Sequence, residues 1–297
     1  MSPLFEGLRA PQSLERQAQT RMRAVAEGPW LNNNKLGLSF PRRRESRQHG
    51  RIQTSWIPGP NRCLPEDDTK QMIKGNLHPI TQFLREAVLV FAELGFDVYE
   101  GPEVETEWYN FDALNIPADH PARDLQDTFW LKDKKVLRTH TSNGQVRYVE
   151  TRKPPIRAVF PGTVFRNEAT DAKHETTFTQ LEGLYIDRDV KVGHLIWTLE
   201  TFFKKIYGDE TKIRLKPSFF PFVEPGFEVD VKHNGKWLEL LGAGMVHPKV
   251  IQNMKLDPEI YSGFAFGLGI DRLVILKYSI DDIRLFRSND LRFLKQF

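Results

Sequence analysis

The strongest constraint on the fold is a two-residue turn between two strand-like segments in the C-terminal third of the chain. FEVDV at 227–231 and KWLELL at 236–241 alternate apolar with polar residues, and Asn234-Gly235 lies between them. Asn-Gly favours the turn that joins neighbouring antiparallel strands, because both residues tolerate positive φ. No segment reads as a strand followed by a glycine loop and a helix, which is the pattern of a parallel βαβ unit. We therefore expect an α+β domain built on an antiparallel sheet.

Two amphipathic helices are expected beside this sheet. In HPITQFLREAVLVFAELG the apolar residues recur every three or four positions, Pro79 suits a first helical turn, and Gly95 suits the position after the last one. Residues 191–207 show the same spacing. A second strand pair is predicted at 128–131 and 136–140, on either side of a short polar stretch.

Length and composition exclude several classes of protein. The chain has 297 residues and one cysteine, Cys63, so an internal disulfide framework and a multi-cysteine metal site are excluded. It contains no run of eighteen apolar residues and no apolar core of signal-peptide type near its N-terminus. We expect no membrane span, and the expected location is the cytoplasm.

Residues 1–70 differ in character from the rest of the chain. They carry twelve Lys or Arg and seven Asp or Glu, a net +5, so the remaining residues sum to −2 within the overall +3. Apart from a short helix expected around 13–27, they show no apolar period. We interpret 1–70 as a disordered basic segment, and a folded arm that grips RNA is the alternative. Any positive surface for RNA lies in this segment or in a partner.

A charged hairpin is the first candidate functional site. In VFRNEATDAKHETTFTQLEGLYID, Arg166 and Glu168 alternate as two residues on one face of a strand would, and Phe178 follows on a return strand. A buried arginine and glutamate are costly unless they hold a partner or a ligand. Arginine suits a phosphate, glutamate an amino group and phenylalanine a base, so the pattern suggests a nucleotide site. A solvated hairpin with charged faces is the alternative.

The second candidate is GFAFGLGIDRLVIL at 263–276. Its C-terminal part reads as a buried helix, and we expect glycines at the start of that helix, including Gly267 and Gly269. Glycine allows a ligand to approach the backbone closely, and Arg272 would add its donors to the positive end of the helix. The stretch therefore predicts a phosphate site. A glycine-rich contact between helix and sheet, with a surface arginine, is the alternative.

These stretches resemble the three signature motifs of class II aminoacyl-tRNA synthetases. GFDVYEGP, FRNE and GLGIDR resemble motifs 1, 2 and 3. The resemblance is closer to the catalytic α subunit of bacterial phenylalanyl-tRNA synthetase, and it covers about residues 75–297. It rests also on NFDALNIPADHPARDLQDTFWL, RTHTS, FFPFVEP, GKWLELLGAGMVHP and NDLRFLKQF.

The resemblance implies the class II catalytic fold, a central antiparallel sheet flanked by helices. It also implies a reaction in which ATP and phenylalanine give phenylalanyl-adenylate, and phenylalanine then passes to tRNA(Phe). The implied nucleotide residues are Arg166 on the α-phosphate and the amino acid carboxylate, Glu168 and Phe178 on adenine, His174 and Arg272 on the outer phosphates, and Gly267 and Gly269 beside them. Arg166 and Arg272 are the implied catalytic residues.

The same resemblance implies a phenylalanine pocket, a metal and a partner. The polar end of the pocket would be formed by His140, Ser142, Gln180 and Glu182, and its walls by Phe220, Phe222, Val223, Ala243 and Ala265. We expect Phe220 and Phe222 to share one face of a strand. Glu224 resembles a Mg²⁺ ligand at the border with a β subunit. The implied assembly is an (αβ)₂ heterotetramer.

The chain departs from the family pattern in places. Asn143-Gly144 follows RTHTS where the family often has proline or a small apolar residue, and residues 1–70 lack the heptads of the family's tRNA-gripping coiled coil. A truncated or replaced arm would impair aminoacylation more than adenylate formation. The alternative function is a non-catalytic paralogue that binds an amino acid or a partner protein. Such a paralogue should have lost Arg166, Glu168 or Arg272, and all three are present.

Overall fold

The computed structural model describes residues 76–124, 127–167, 169–171, 175–233 and 235–297. The helices are α1 Pro79–Glu93, α2 Glu107–Asn110, α3 Ser142–Glu150, α4 Val192–Tyr207, α5 Pro248–Asn253, α6 Ile270–Tyr278 and α7 Leu291–Leu294. The strands are β1 Asp97–Val98, β2 Val104–Thr106, β3 Lys135–Leu137, β4 Ile156–Phe165, β5 Thr177–Asp187, β6 Lys212–Phe220, β7 Val223–His233, β8 Lys236–Val246 and β9 Ser262–Gly269. Short 3₁₀ helices lie at Asp112–Leu114, Pro121–Arg123 and Ile283–Arg287.

One seven-stranded sheet organises the domain, in the order β1-β4-β5-β9-β8-β7-β6. Every neighbouring pair in it is antiparallel except β1 with β4, which is parallel. The predicted α+β class and the central antiparallel sheet are therefore confirmed, and one short parallel strand at the edge makes the sheet mixed. The predicted hairpin joins β7 to β8, with Gly235 at φ 78° in its turn.

The two predicted helices, α1 and α4, pack together on one face of the sheet. Phe91 of α1 stacks on Phe202 of α4 at 4.7 Å and on Phe266 of β9 at 5.2 Å, and all three rings are buried. Burying large aromatic rings dominates the energetics of such a core, because each removes a large apolar area from water. This face is filled with side chains, so a ligand site must lie on the other face.

Two local predictions are wrong. Residues 128–131 and 136–140 do not form a strand pair: they share a single bridge, Trp130 with Val136, and β3 pairs with β2 instead. The glycines of 263–269 do not open a helix. They belong to β9, and α6 begins at Ile270.

The interpretation of residues 1–70, including a helix around 13–27, lies outside the described residues. Among the described helices, none is both long and apolar enough to cross a membrane.

Candidate active site

A cavity of about 880 Å³ opens on the sheet face opposite α1 and α4. Strand alternation produces this separation: in β9, Phe264 and Phe266 point into the core, whereas Ala265 points to the other face and lines the cavity. The predicted site residues that line it are His140, Ser142, Arg166, Phe178, Gln180, Glu182, Phe220, Phe222, Val223, Ala243, Ala265, Gly267, Gly269 and Arg272. Glu168 and His174 lie outside the described residues.

The glycines of β9 leave room for side chains and ligand at the centre of the cavity. Gln180 of β5 pairs with Gly269, and Glu182 pairs with Gly267. A Cβ on Gly267 would lie 3.1 Å from Nε2 of Gln180, so glycine there makes room for the glutamine. A Cβ on Gly269 would meet nothing within 4 Å, so the space above that residue is open to a ligand.

We call the end of the cavity that holds Ser142, Gln145 and Glu182 the enclosed end. Glu182 is only 4% exposed, and its Oε2 accepts a hydrogen bond from Nε2 of Gln145 at 2.7 Å. Burial raises the pKa of Glu182 to about 7, against the opposing effect of hydrogen bonds from Ser142 and Gln145. A carboxyl group poised near neutral pH in a cavity is a candidate for binding a cationic ligand group.

His140 lies beside this end as a neutral imidazole. Burial, together with the nearby Arg166 charge, lowers the pKa of His140 to about 3. Its two ring nitrogens are buried and find no hydrogen-bond partner among the described residues. Unsatisfied buried polar atoms carry a desolvation cost, so a bound molecule that bonded to them would recover it.

Aromatic rings form the wall of the enclosed end. Phe220 and Phe222 stack at 5.9 Å with 20° between their planes. They do not share a strand face as expected: β6 ends at Phe220, β7 begins at Val223, and the two rings flank the turn between them. A Cβ on Gly242 would lie 3.1 Å from the Phe220 ring, so the absence of a side chain there leaves space for the ring.

We call the part of the cavity lined by Arg166, Phe178, Gly269 and Arg272 the open end, and Arg166 lies close enough to influence the pKa values of His140 and Glu182. The Arg166 guanidinium lies 5.0 Å from the centre of the Phe178 ring, and its Nε donates to the carbonyl of Thr139 at 3.2 Å. The prediction that Arg166 and Glu168 share a strand is wrong for Arg166, because β4 ends one residue earlier. Its backbone N–H still donates to the carbonyl of Thr176, so the return segment keeps it in place.

Arg272 lies in the first turn of α6, as predicted. Its side chain is exposed, and it makes no hydrogen bond or ion pair with the described residues. Its donors, at the positive end of α6, are available to an anion in the cavity. The arrangement is suited to holding phosphate oxygens.

Glu224 lies apart from the cavity lining. Its exposed carboxylate has Oε2 3.4 Å from Nε2 of His247. Within the described ranges, no group of three or more His, Cys, Asp or Glu side chains could hold a metal ion.

Among the cavity residues that sequence reasoning did not name, Gln145 and Asp271 make the most informative contacts. Gln145 is 5% exposed and contacts Glu182, and helical spacing from Ser142 would have placed both on one face of α3. Asp271 is buried at the start of α6, and its Oδ2 accepts the backbone N–H of Thr179 at 2.7 Å. No sequence spacing signals that contact, because 92 residues separate the two partners.

Comparison with protein families matches residues 65–297 to the tRNA synthetases class II core domain (F). This chain belongs to that family. The family's catalytic domain thus includes the sheet, the cavity and all of the described residues.

Curated relatives agree with the assignment to this synthetase family. The chain is 50% identical over 240 residues to the "Phenylalanine--tRNA ligase alpha subunit" of Caldicellulosiruptor saccharolyticus, across 77% of this chain and 71% of the relative. It is 52% identical over 242 residues to the protein of the same name from Dehalococcoides mccartyi, across 75% and 70%. A solved pyrrolysyl-tRNA synthetase from Desulfitobacterium hafniense shares the class II fold, with a TM-score of 0.58 and 20% identity over 72% of this chain and 75% of that one.

Proposed function

We propose that the protein is the catalytic α subunit of a phenylalanine–tRNA ligase. It activates L-phenylalanine with ATP to phenylalanyl-adenylate and transfers phenylalanine to tRNA(Phe). The observation that carries this proposal is one cavity in which an arginine-bearing open end adjoins an enclosed end with a buried glutamate and aromatic walls. Fifty per cent identity to proteins of that name supports the choice of amino acid.

Adenylate formation requires positioning and charge neutralisation rather than a nucleophilic side chain. A carboxylate oxygen of phenylalanine attacks the α-phosphorus of ATP, the bond to the bridging oxygen breaks, and pyrophosphate leaves. Arg166 would hold the carboxylate and the α-phosphate, Phe178 would stack on adenine, and Arg272 would hold the outer phosphates. Prepositioned cations of this kind stabilise charge that develops in the transition state. Glu168 and His174 complete this set in the proposal.

The enclosed end would select the amino acid. Glu182, oriented by Gln145, would accept the ammonium group of phenylalanine, with His140, Ser142 and Gln180 around it. The ring would lie against apolar walls, formed by Phe220, Phe222, Val223, Ala243 and Ala265. A tyrosine hydroxyl would be desolvated without a partner among these apolar wall side chains, at a cost of about 1–3 kcal/mol.

Mg²⁺ is the expected metal. It keeps several waters and takes only one or two protein carboxylates, so the single exposed carboxylate of Glu224 fits a site that another chain completes. When bound there, Mg²⁺ would supply positive charge to the oxygen ligands around it, outside the cavity. On this proposal Glu224 faces a β subunit in an (αβ)₂ assembly. We further propose a cytoplasmic enzyme whose residues 1–70 stay outside the catalytic domain.

Amino-acid-dependent exchange of pyrophosphate into ATP tests the proposal. The full chain, co-purified with its β partner, should exchange with phenylalanine and with none of the other nineteen standard amino acids at equal concentration. It should then charge tRNA(Phe). Exchange with a different amino acid would refute the proposed specificity. Absence of exchange with all twenty amino acids would favour the non-catalytic paralogue. The presence of Arg166 and Arg272 argues against that alternative.

A further inference from the structure

The hydrogen-bonded pairing of β5 with β9 ends beside the open end of the cavity. Gln180 pairs with Gly269, the last residue of β9, and α6 begins immediately afterwards. The next residue of β5, Thr179, therefore has no strand beside it on that edge. Its backbone N–H donates to Oδ2 of Asp271 at 2.7 Å. A side chain from the first turn of α6 thus supplies the acceptor that a strand would otherwise supply.

Asp271 is buried with few partners. It is 2% exposed, and its Oδ1 has no hydrogen-bond partner among the described residues. The nearest counter-charge is Nη1 of Arg287, at 3.7 Å. Burial raises the pKa of Asp271, and the Thr179 amide and the Arg287 guanidinium oppose that rise. A buried ion pair often adds little to the free energy of unfolding, because taking its charges out of water is costly. A role in positioning therefore fits Asp271 better than a role in stability.

We propose that Asp271 is a positioning residue for ATP that locks the return strand of motif 2 to the helix of motif 3. Phe178 precedes Thr179, and Arg272 follows Asp271. One hydrogen bond therefore fixes the distance between the ring on which adenine would stack and the arginine that would hold the outer phosphates. This inference rests on the proposed function, because it takes Phe178 and Arg272 as the groups that hold the nucleotide.

The inference predicts an asymmetric effect on the two substrates. Gln180 is held by its own pairing with Gly269, which does not involve Asp271. Glu182 pairs with Gly267, two residue pairs further from the helix. Loss of the Asp271 carboxylate should therefore displace the nucleotide end and leave the amino acid end in place.

Three variants test this asymmetry. D271A removes the acceptor, whereas D271N keeps an oxygen that can accept the Thr179 amide but loses the charge that faces Arg287. D290N is the matched control. The Asp290 carboxylate also accepts a backbone N–H, that of Arg292 at 2.8 Å, and pairs with the same arginine, but it does not line the cavity.

Two readouts are taken on the full chain with its β partner. In pyrophosphate exchange, D271A should raise KM for ATP about tenfold or more, as loss of a hydrogen bond to a charged group does, while KM for phenylalanine changes less than about threefold. D271N should fall between D271A and the parent. In hydrogen–deuterium exchange without substrates, the peptide that contains Thr179 should take up deuterium faster in D271A, and peptides within β5–β9 should not. D290N should match the parent in both.

An unchanged KM for ATP, equal losses for both substrates, or unchanged deuterium uptake at Thr179 would overturn the inference. A parent chain without phenylalanine-dependent exchange would refute the proposed function itself, so the two failures are distinguishable. Should D271A fail to fold, D271N decides by the same readouts, with a rise of about threefold in KM for ATP expected.

Discussion

At the enclosed end of the cavity, Gln145 and Glu182 are buried and bonded to each other, whereas at the open end Arg272 is exposed and has no partner among the described residues. The enclosed end is therefore already shaped before any ligand arrives. The open end offers charge and space, and the hydrogen bond between Thr179 and Asp271 joins its two sides.

This difference matches the demands of the two substrates. Phenylalanine must be distinguished from molecules of similar size, and a pre-formed pocket discriminates through steric fit and unpaired polar groups. ATP carries most of the charge that changes during the reaction. Exposed cations that bind its phosphates therefore act chiefly by stabilising the transition state. The predictions that follow separate these two roles.

Removal of Arg272 should have the largest effect, because it takes a cation from the developing phosphate charge. R272A should lower phenylalanine-dependent pyrophosphate exchange by about a hundred- to a thousandfold, with assembly with the β subunit intact. R292A, which removes an exposed arginine outside the cavity, is the control. Near-normal exchange by R272A would show that the phosphates bind elsewhere.

Removal of the Glu182 charge should act on phenylalanine rather than on ATP. E182Q should raise KM for phenylalanine about a hundredfold, because a charge-assisted bond to the ammonium group is lost in a buried site. KM for ATP should change little. E150Q, an exposed glutamate of α3, should behave as the parent. A larger change in KM for ATP than for phenylalanine would reverse the assignment of the two ends.

The same carboxyl group gives a pH dependence. Burial raises the pKa of Glu182 to about 7, so its charge is present above that pH and is lost as the pH falls through it. In the parent, kcat/KM for phenylalanine should be level above pH 7 and should fall about tenfold per pH unit below it. This acid limb should be absent from E182Q, and its persistence there would assign the titration to another group.

Ala265 tests the shape of the enclosed end with a smaller expected effect. It lines the cavity from the middle of β9 and is 9% exposed. A265G should admit para-chlorophenylalanine with a relative gain in kcat/KM of about ten- to two-hundredfold, and should gain less on tyrosine, whose hydroxyl still lacks a partner. A158G makes the same change in a buried strand residue outside the cavity. An unchanged ratio of chloro analogue to phenylalanine would remove Ala265 from the pocket.

Deletion of residues 1–70 should have the smallest effect on either end. Residues 1–70 carry a net +5 charge and show little apolar periodicity, so the truncated chain should keep phenylalanine activation within about twofold. Aminoacylation of tRNA(Phe) is the matched readout, because it depends on tRNA as well as on the cavity. An insoluble or inactive truncated chain would place part of this segment in the fold.

Sequence reasoning predicted the fold class, the hairpin of β7 and β8 and the helices α1 and α4, because periodicity and turn chemistry are local properties. The residues that line the cavity could be predicted only from the resemblance to the synthetase family, because a family's fold carries three-dimensional information that residue spacing does not. Periodicity failed where tertiary pairing decides: Val136 shares only one bridge with Trp130, while its other edge pairs regularly with β2, a partner that local spacing does not reveal.

The glycines of motif 3 show the same limit. A glycine-rich stretch before a helix is ambiguous in sequence, and only the pairing of Gly269 with Gln180 shows that it is a strand. The contact between Asp271 and Thr179 could not be predicted, because it forms only when both motifs are in place. The roles of the individual site residues stay predictions until the variants are measured.

On the proposed function, the two ends of one cavity hold the two halves of one phenylalanyl-adenylate. Calorimetric titration of the full chain and its β partner with a non-hydrolysable phenylalanyl-adenylate analogue tests it most directly. We expect the analogue to bind at least about a hundredfold more tightly than phenylalanine or AMP alone, as reaction-intermediate mimics do. R272A and E182Q should each weaken that binding. Binding of the analogue no tighter than that of its parts, or insensitive to both substitutions, would contradict the account.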